Sequence, residues 1–191
     1  MRSYLLAVVL CHVIAVHADE WQVDRGAKDN QVRFTSQVVG HSFEGVTQKI
    51  DGYIYWEGQK LFEKNTQLLF EVELNSLDSG VGKRDRDMYE ILQTDKWPKA
   101  VFKGEIASCE PIDSTVTAYR GTVKGRMSLH GVEREMEVPG TIVMEGDRPK
   151  VVSSFTLQLA DYNIEAPSLV AFVKVSQEIA IAVSCYLKRV Q

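Results

Sequence analysis

Hydrophobic and polar residues alternate with a period of two along most of this chain. In the segment LLFEVEL (68–74), every second residue from Leu68 is apolar, whereas Glu71 and Glu73 fall in the opposite phase. Such alternation is typical of strands that face an apolar interior on one side and water on the other. The pattern predicts about eight strands, over residues 32–38, 52–56, 68–74, 101–106, 123–129, 132–138, 155–159 and 179–187.

Strands with one apolar and one polar face predict an antiparallel sheet around a single interior. Periodicity fits both a sandwich of two sheets and a closed barrel, and it does not choose between them. A closed barrel of about eight strands leaves room inside for one small ligand. Two details depart from the pattern: Arg134 falls in an apolar phase, and Pro139-Gly140 predicts a turn or a bulge.

One segment changes to the spacing of a helix. In RDRDMYEILQTDKWP, the residues Met88, Ile91 and Leu92 lie at positions i, i+3 and i+4, which places them on one face. We expect a short helix over residues 87–94. An aspartate just before or at its start is the expected cap, and Pro98 prevents the helix from continuing.

A helix of two or three turns is not stable alone, so its apolar face must dock on another apolar surface. The end of a barrel is such a surface. The charged side of the helix, formed by residues 84–87 and Glu90, is then expected to face water.

The first residues have a different character from the rest of the chain. Arg2 precedes an apolar run over residues 5–16, and the small residue Ala18 follows it. These are the features of a secretory signal peptide cleaved after Ala18, and the apolar run is too short to span a bilayer. We therefore expect an exported protein, periplasmic or secreted, with a single domain over residues 19–191.

Composition and charge narrow the classes of function. The 191 residues are 45% hydrophobic and 25% charged, which fits one globular core and excludes collagen, coiled coil and disorder. The formal net charge of −4 and the lack of a basic patch argue against nucleic acid as a partner. Outside the predicted signal peptide, Cys109 and Cys185 either pair or serve as separate small apolar residues, and we favour the second interpretation.

Catalytic motifs are not evident in the sequence. His41 and His130 are the histidines that remain after the predicted cleavage, and neither belongs to a metal-ligand spacing such as HExxH. No nucleophile elbow, Walker loop or dinucleotide-binding glycine motif occurs. We expect no catalytic residues, no metal and no catalytic cofactor.

Three blocks together carry a family resemblance. They are LNSLDSG followed by RDRDMYEILQTDKWPKAVFKGEI, then GRMSLHGVEREMEVPG, then FTLQLADYNIEAP. In this order and spacing they resemble the YceI-like family of polyisoprenoid-binding proteins, from about Trp21 to Leu187. Asp87 stands where the family commonly has a histidine, and Asn163 replaces a glycine. The lipocalin signature, a glycine two residues before a tryptophan, is absent around Trp21.

The resemblance implies an all-β fold: an extended, lipocalin-like antiparallel barrel of about eight strands with one short helix near a barrel end. It also implies an interior that holds an isoprenoid lipid, and it does not imply an enzyme. On this basis we predict that eighteen residues line the cavity and contact the lipid: Phe34, Phe43, Phe70, Val72, Leu74, Met88, Ile91, Leu92, Trp97, Phe102, Ile106, Met127, Leu129, Phe155, Leu157, Ile164, Ile181 and Val183.

Three functions remain open at this point. The first is an exported carrier or store for a quinone, a quinone precursor or a polyprenyl chain. The second is an exported enzyme or accessory factor in isoprenoid metabolism or stress response. The third is an interaction module whose barrel is filled by side chains. For the carrier we expect only transient membrane contact during lipid exchange, and the sequence leaves the oligomeric state open, a dimer included.

Overall fold

The structure is a computed structural model that describes residues 18–38, 40–112, 117–170 and 173–190. The predicted signal peptide falls, up to residue 17, outside these residues. Within them, two 3-10 helices cover Leu74–Ser76 and Leu159–Tyr162, and one α-helix, α1, covers Gly82–Ile91. The strands are β1 (Ala18–Val23), β2 (Gln31–Val38), β3 (His41–Thr47), β4 (Ile50–Glu57), β5 (Lys64–Glu73), β6 (Lys99–Pro111), β7 (Ala118–Leu129), β8 (Val132–Glu145), β9 (Arg148–Gln158), β10 (Ser168–Val170), β11 (Val173–Lys174) and β12 (Glu178–Arg189).

Eight strands close into an antiparallel barrel. They follow one another in the order β1, β4, β5, β6, β7, β8, β9 and β12, and β12 pairs back onto β1. β2 pairs with β12 beyond β1, and β3 pairs with β2, so these two strands extend the wall at one end. The predicted antiparallel barrel is confirmed, and two open packed sheets are excluded. Each of the eight predicted segments overlaps a strand, whereas β1, β3 and the short strands β10 and β11 were not predicted.

One end of the barrel is filled by aromatic side chains. The ring centres of Trp21 and Trp56 lie 5.0 Å apart, and Phe62 meets both rings edge to face at 5.8 and 5.1 Å. Such edge-to-face pairs add to the stability that burial itself provides. Cys185 and Leu187 of β12 are fully buried at the same end. This closed end is far from α1, since Trp56 lies near the last residue of β4, Glu57, whereas the helix follows the opposite end of β5.

The predicted turn or bulge at Pro139-Gly140 is wrong. β8 runs through both residues in register with β7, with Pro139 opposite Thr122. The ladder between β8 and β9 starts only at Gly140, opposite Ser153. A proline has no N–H to donate. Because Pro139 lies just before the β8–β9 ladder begins, no ladder hydrogen bond to β9 is lost there.

The part of β8 that precedes Gly140 does not pair with β9. The 3-10 helix Leu159–Tyr162 lies beside β8 instead. Arg134, whose apolar phase was unexplained, is exposed, and its Nε donates to the backbone carbonyl of Asp161 at 2.8 Å. The guanidinium thus links β8 to the 3-10 helix.

The predicted helix over 87–94 is wrong at both ends. α1 begins at Gly82 after Val81, which provides no side-chain cap. Asp85 lies in the first turn but accepts a hydrogen bond from the backbone N–H of Ser79 at 2.9 Å, so it orders the preceding loop. The helix ends at Ile91, and Gln93, at φ 48°, has a left-handed conformation that is typical of a helix end.

None of the helices in the described ranges is long and apolar enough to cross a membrane. Cys109 and Cys185 are both free thiols, in agreement with the interpretation as separate residues. Burial raises the pKa of the Cys185 thiol to about 12.

Candidate functional site

The barrel interior between α1 and the closed end contains a cavity of about 960 Å³. This volume lies at the upper end of the about 300–1,000 Å³ that small-molecule sites occupy. Inward-facing residues of β2, β5, β9 and β12, with others from β3, β6, β7 and β8, line the wall, and one face of α1 covers part of it. The arrangement follows from the alternation, because every second residue of a strand faces the same side.

Sixteen of the eighteen predicted residues lie on the cavity wall. The alternating strands bring most of them together, α1 adds Met88 and Ile91, and Leu92 follows directly after the helix. That they contact a ligand stays a prediction. The sixteen are Phe34, Phe43, Phe70, Val72, Leu74, Met88, Ile91, Leu92, Phe102, Met127, Leu129, Phe155, Leu157, Ile164, Ile181 and Val183.

The other two predicted residues, Trp97 and Ile106, do not line the cavity. The Trp97 ring lies under the turn between β7 and β8, where a Cβ atom on Gly131 would come within 2.5 Å of it. Ile106 lies on β6 beyond Phe102, toward the closed end, at a register shift between β6 and β7. There it packs against the core.

The cavity opens to solvent between α1 and β3. Exposed residues mark this mouth, and His41 and Ser42 contribute from the strand. The helix contributes Lys83, Asp87 and Glu90. Arg84, Asp87 and Glu90, which belong to the charged side of the helix, therefore lie on the rim of the cavity.

Arg84 connects the two sides of the mouth. Its guanidinium lies 4.9 Å from the centre of the Phe43 ring, within the range of a cation–π contact. The same side chain donates to the Ser79 hydroxyl at 2.8 Å and to the Ser79 carbonyl at 2.7 Å. Arg84 thus fixes the start of α1 to both the preceding loop and β3.

The charges on the rim balance. Lys83 and Arg84 bring two positive charges, and Asp87 and Glu90 bring two negative ones. The Lys83 Nζ lies 2.8 Å from the Asp87 carboxylate, as an i,i+4 pair on an exposed helix face. The four charged side chains that line the mouth therefore carry no net charge together.

Two serines interrupt the apolar wall inside the mouth. The Ser153 hydroxyl donates to the Pro139 carbonyl at 2.6 Å. The Ser36 Oγ is buried and has no hydrogen-bond partner within the described ranges. Neither serine was predicted, although Ser36 occupies the inward phase of β2 together with Val32 and Phe34. In the sequence, Ser36 could have been noticed as a polar residue at an inward position of β2.

The two histidines have different surroundings. His41 is exposed at the mouth. The Nδ1 of His130 lies 3.1 Å from the Tyr162 carbonyl oxygen, and its buried Nε2 has no partner in the described part of the chain. No cluster of three or more His, Cys, Asp or Glu side chains suited to a metal ion occurs among the described residues.

One protein-family model matches most of the chain. The family model described as YceI-like domain matches residues 21–187. No curated protein sequence matches the chain.

Solved structures share the fold at low sequence identity. Burkholderia cenocepacia BcnA is 16% identical with a TM-score of 0.68, over 86% of this chain and 98% of that one. A polyisoprenoid binding domain from Saccharophagus degradans, implicated in plant cell wall breakdown, is 16% identical with a TM-score of 0.67, over 88% and 97%. The Campylobacter jejuni YCEI protein is 13% identical with a TM-score of 0.52, over 100% and 99%.

Proposed function

The chain belongs to the YceI-like domain family, and from this premise we propose that it is an exported carrier or store that holds an isoprenoid lipid in its barrel cavity. The observation that carries the proposal is the apolar cavity of about 960 Å³, closed at one end and open at the other. The polyisoprenoid binding domain of Saccharophagus degradans has the same fold, which supports the class of ligand. The proposed role is binding, without a catalytic step.

Energetics favour tight binding and slow release. Burial of a chain of about forty carbons at ~0.8 kcal/mol per CH₂ gives roughly 30 kcal/mol in gross terms. This exceeds the practical limit of about 18–21 kcal/mol, so ordering of the chain and of the protein must offset a large part of it. What remains favours a long residence time, with membrane contact needed only when the lipid is exchanged.

Export to the periplasm or beyond is part of the proposal. It rests on the basic start, the apolar run and Ala18 in the sequence. The mass of the protein recovered from the exported fraction tests it, and the expected mature chain starts at Asp19. A chain that keeps its first eighteen residues and stays in the cytoplasm would contradict this part of the proposal.

The ligand is tested by extraction. The protein, purified from a host that makes isoprenoid quinones, is extracted with organic solvent, and the extract is analysed by mass spectrometry. We expect an isoprenoid quinone, a quinone precursor or a polyprenyl lipid in a molar ratio near one. Protein that yields no lipid and takes up no added isoprenoid would contradict the carrier role.

A pair of variants locates the lipid in the cavity. Leu157 lies on the cavity wall, whereas the neighbouring Thr156 points outward and is exposed. Leu157→Arg places a charge in an apolar interior, which is strongly unfavourable, and we expect the extracted lipid to disappear. Thr156→Arg, the matched control, should keep it. A folded Leu157→Arg protein that still carries lipid would show that the lipid does not occupy this cavity.

A further inference from the structure

The hydroxyl of Ser36 is an unsatisfied polar group in the wall of the cavity. Ser36 follows Val32 and Phe34 in the inward phase of β2 and is 1% exposed. Its Oγ has no hydrogen-bond partner among the residues that the structure describes. An unpaired buried hydroxyl costs about 1–3 kcal/mol, so such a group calls for an explanation.

The other serine of the wall shows the contrast. The Ser153 hydroxyl is satisfied by the Pro139 carbonyl at 2.6 Å. Ser36 faces Phe43 directly across the β2–β3 ladder, and the Phe34 and Phe43 rings pack edge to face at 6.0 Å. The hydroxyl therefore lies among aromatic side chains that offer it no acceptor or donor.

We propose that the Ser36 hydroxyl forms a hydrogen bond with an uncharged oxygen, a carbonyl or a hydroxyl, on the head of the bound lipid, and that it thereby determines specificity. This inference rests on the proposed lipid-binding function. Ser36 lies two residues from Val38 and near the mouth, so the head lies just inside the opening. The tail then extends toward Val183 on the wall nearer the closed end.

The charges at the mouth favour an uncharged head over a diphosphate. Lys83 is paired with Asp87 at 2.8 Å, and Arg84 donates to both oxygens of Ser79. Glu90 adds a further negative charge to the rim. A diphosphate entering as far as Ser36 would lose much of its hydration without gaining a free cation, which is costly. A carbonyl or hydroxyl needs only the one partner that Ser36 offers.

The test compares three probes with the same C20 isoprenoid tail: the alcohol geranylgeraniol, its diphosphate, and the hydrocarbon without oxygen. Their affinities are measured by displacement of a fluorescent lipid from delipidated protein. Wild type should bind the alcohol most tightly. Ser36→Ala should weaken the alcohol about three- to tenfold, the range of one hydrogen bond, and leave the hydrocarbon unchanged.

Two further variants separate recognition from structure. Ser36→Thr keeps a hydroxyl on a residue suited to strands, and it should restore most of the preference for the alcohol. Ser154→Ala, at an exposed outward position of β9 that does not line the cavity, should leave the order of the three affinities unchanged. Ser36→Ala should not lower the melting temperature of the delipidated protein, because it removes a buried polar group that has no partner.

Each result decides between the two claims. A Ser36→Ala protein that loses alcohol and hydrocarbon affinity equally, or neither, overturns the role of Ser36 while lipid binding stands. A wild type that prefers the diphosphate overturns it as well. If wild type binds none of the three probes, the lipid-binding function itself fails, and this inference fails with it.

Discussion

The guanidinium of Arg84 lies 4.9 Å from the centre of the Phe43 ring, and this contact joins α1 to β3 across the mouth of the cavity. Two hydrogen bonds from the same guanidinium to Ser79 hold the start of the helix to the preceding loop. Further along the helix, the Tyr89 hydroxyl donates to the Leu77 carbonyl at 2.6 Å. The helix is thus held by individual side-chain contacts, whereas each strand is held by a ladder. Elements with few such contacts open at lower free energy than the core of a sheet.

Loss of the Arg84 side chain should speed lipid release. Arg84→Ala removes the cation–π contact, which is worth about 0.5–1 kcal/mol at such a site, and the two hydrogen bonds to Ser79. We expect the off-rate of a fluorescent isoprenoid to rise about three- to tenfold. Lys83→Ala, which removes a neighbouring exposed ion pair, should change it less than twofold. Equal effects of the two variants would contradict a specific role for Arg84.

The apolar face of α1 provides a second test of the helix as a lid. Met88 and Ile91 are half-buried on the cavity wall. Replacing both with Ser should speed lipid release more than it lowers the melting temperature, because both side chains line the cavity and are only half-buried. Arg86→Ser, at an exposed position of the same helix, is the control. A large loss of stability with an unchanged off-rate would make this face ordinary core.

The strands were predictable because a period of two is a local property of the sequence. Closure of the barrel was not, because it depends on β12 pairing with β1, more than 160 residues away in the chain. β3 was missed since HSFEGVT has no clear alternation of apolar and polar residues. The start of α1 was missed because Val81 and Gly82 carry no capping signal.

The site was predictable to the extent that it is apolar. The inward phase of the strands identified part of the wall. It also placed Ile106 on the cavity, because phase does not tell where along a strand a cavity ends. The unpaired Ser36 and the contact of Arg84 with Phe43 are relationships between separate segments. A single sequence does not show such relationships.

The aromatic closed end should govern stability more than binding. Trp56 is 4% exposed and meets Trp21 and Phe62 edge to face. Trp56→Ala should lower the free energy of unfolding by about 3–5 kcal/mol, as for other large buried side chains. Denaturant titration measures this, and Tyr55→Ala, on the outward phase of the same strand, should cost less. A Trp56→Ala protein with wild-type stability would contradict the role of the cluster.

Acid stability should depend on Asp51. The hydrogen bond from Arg25 is the largest cause that holds the pKa of Asp51 below its usual value. Because the folded pKa is the lower one, this pair stabilises the fold above the unfolded pKa of about 3.9 and loses its effect as pH falls through the folded pKa.

Asp51→Asn should therefore unfold at lower denaturant concentration than wild type at pH 7, and the difference should shrink below about pH 4. Urea titrations across this range measure the effect. Asp147→Asn, in the exposed turn between β8 and β9, is the control and should follow wild type throughout. A difference that persists or grows in acid would contradict the proposed pairing.

The two cysteines should differ sharply in reactivity. Burial raises the pKa of the Cys185 thiol to about 12, and burial also raises the pKa of the half-buried Cys109 thiol. Since the thiolate is the nucleophile, the mature Cys109→Ser protein should not react with a thiol reagent at pH 8 until it unfolds. In denaturant, two thiols of the mature wild type should react with the reagent, because both cysteines are free. Rapid native labelling of Cys185 would contradict its burial, and no labelling of either residue in denaturant would show that they pair.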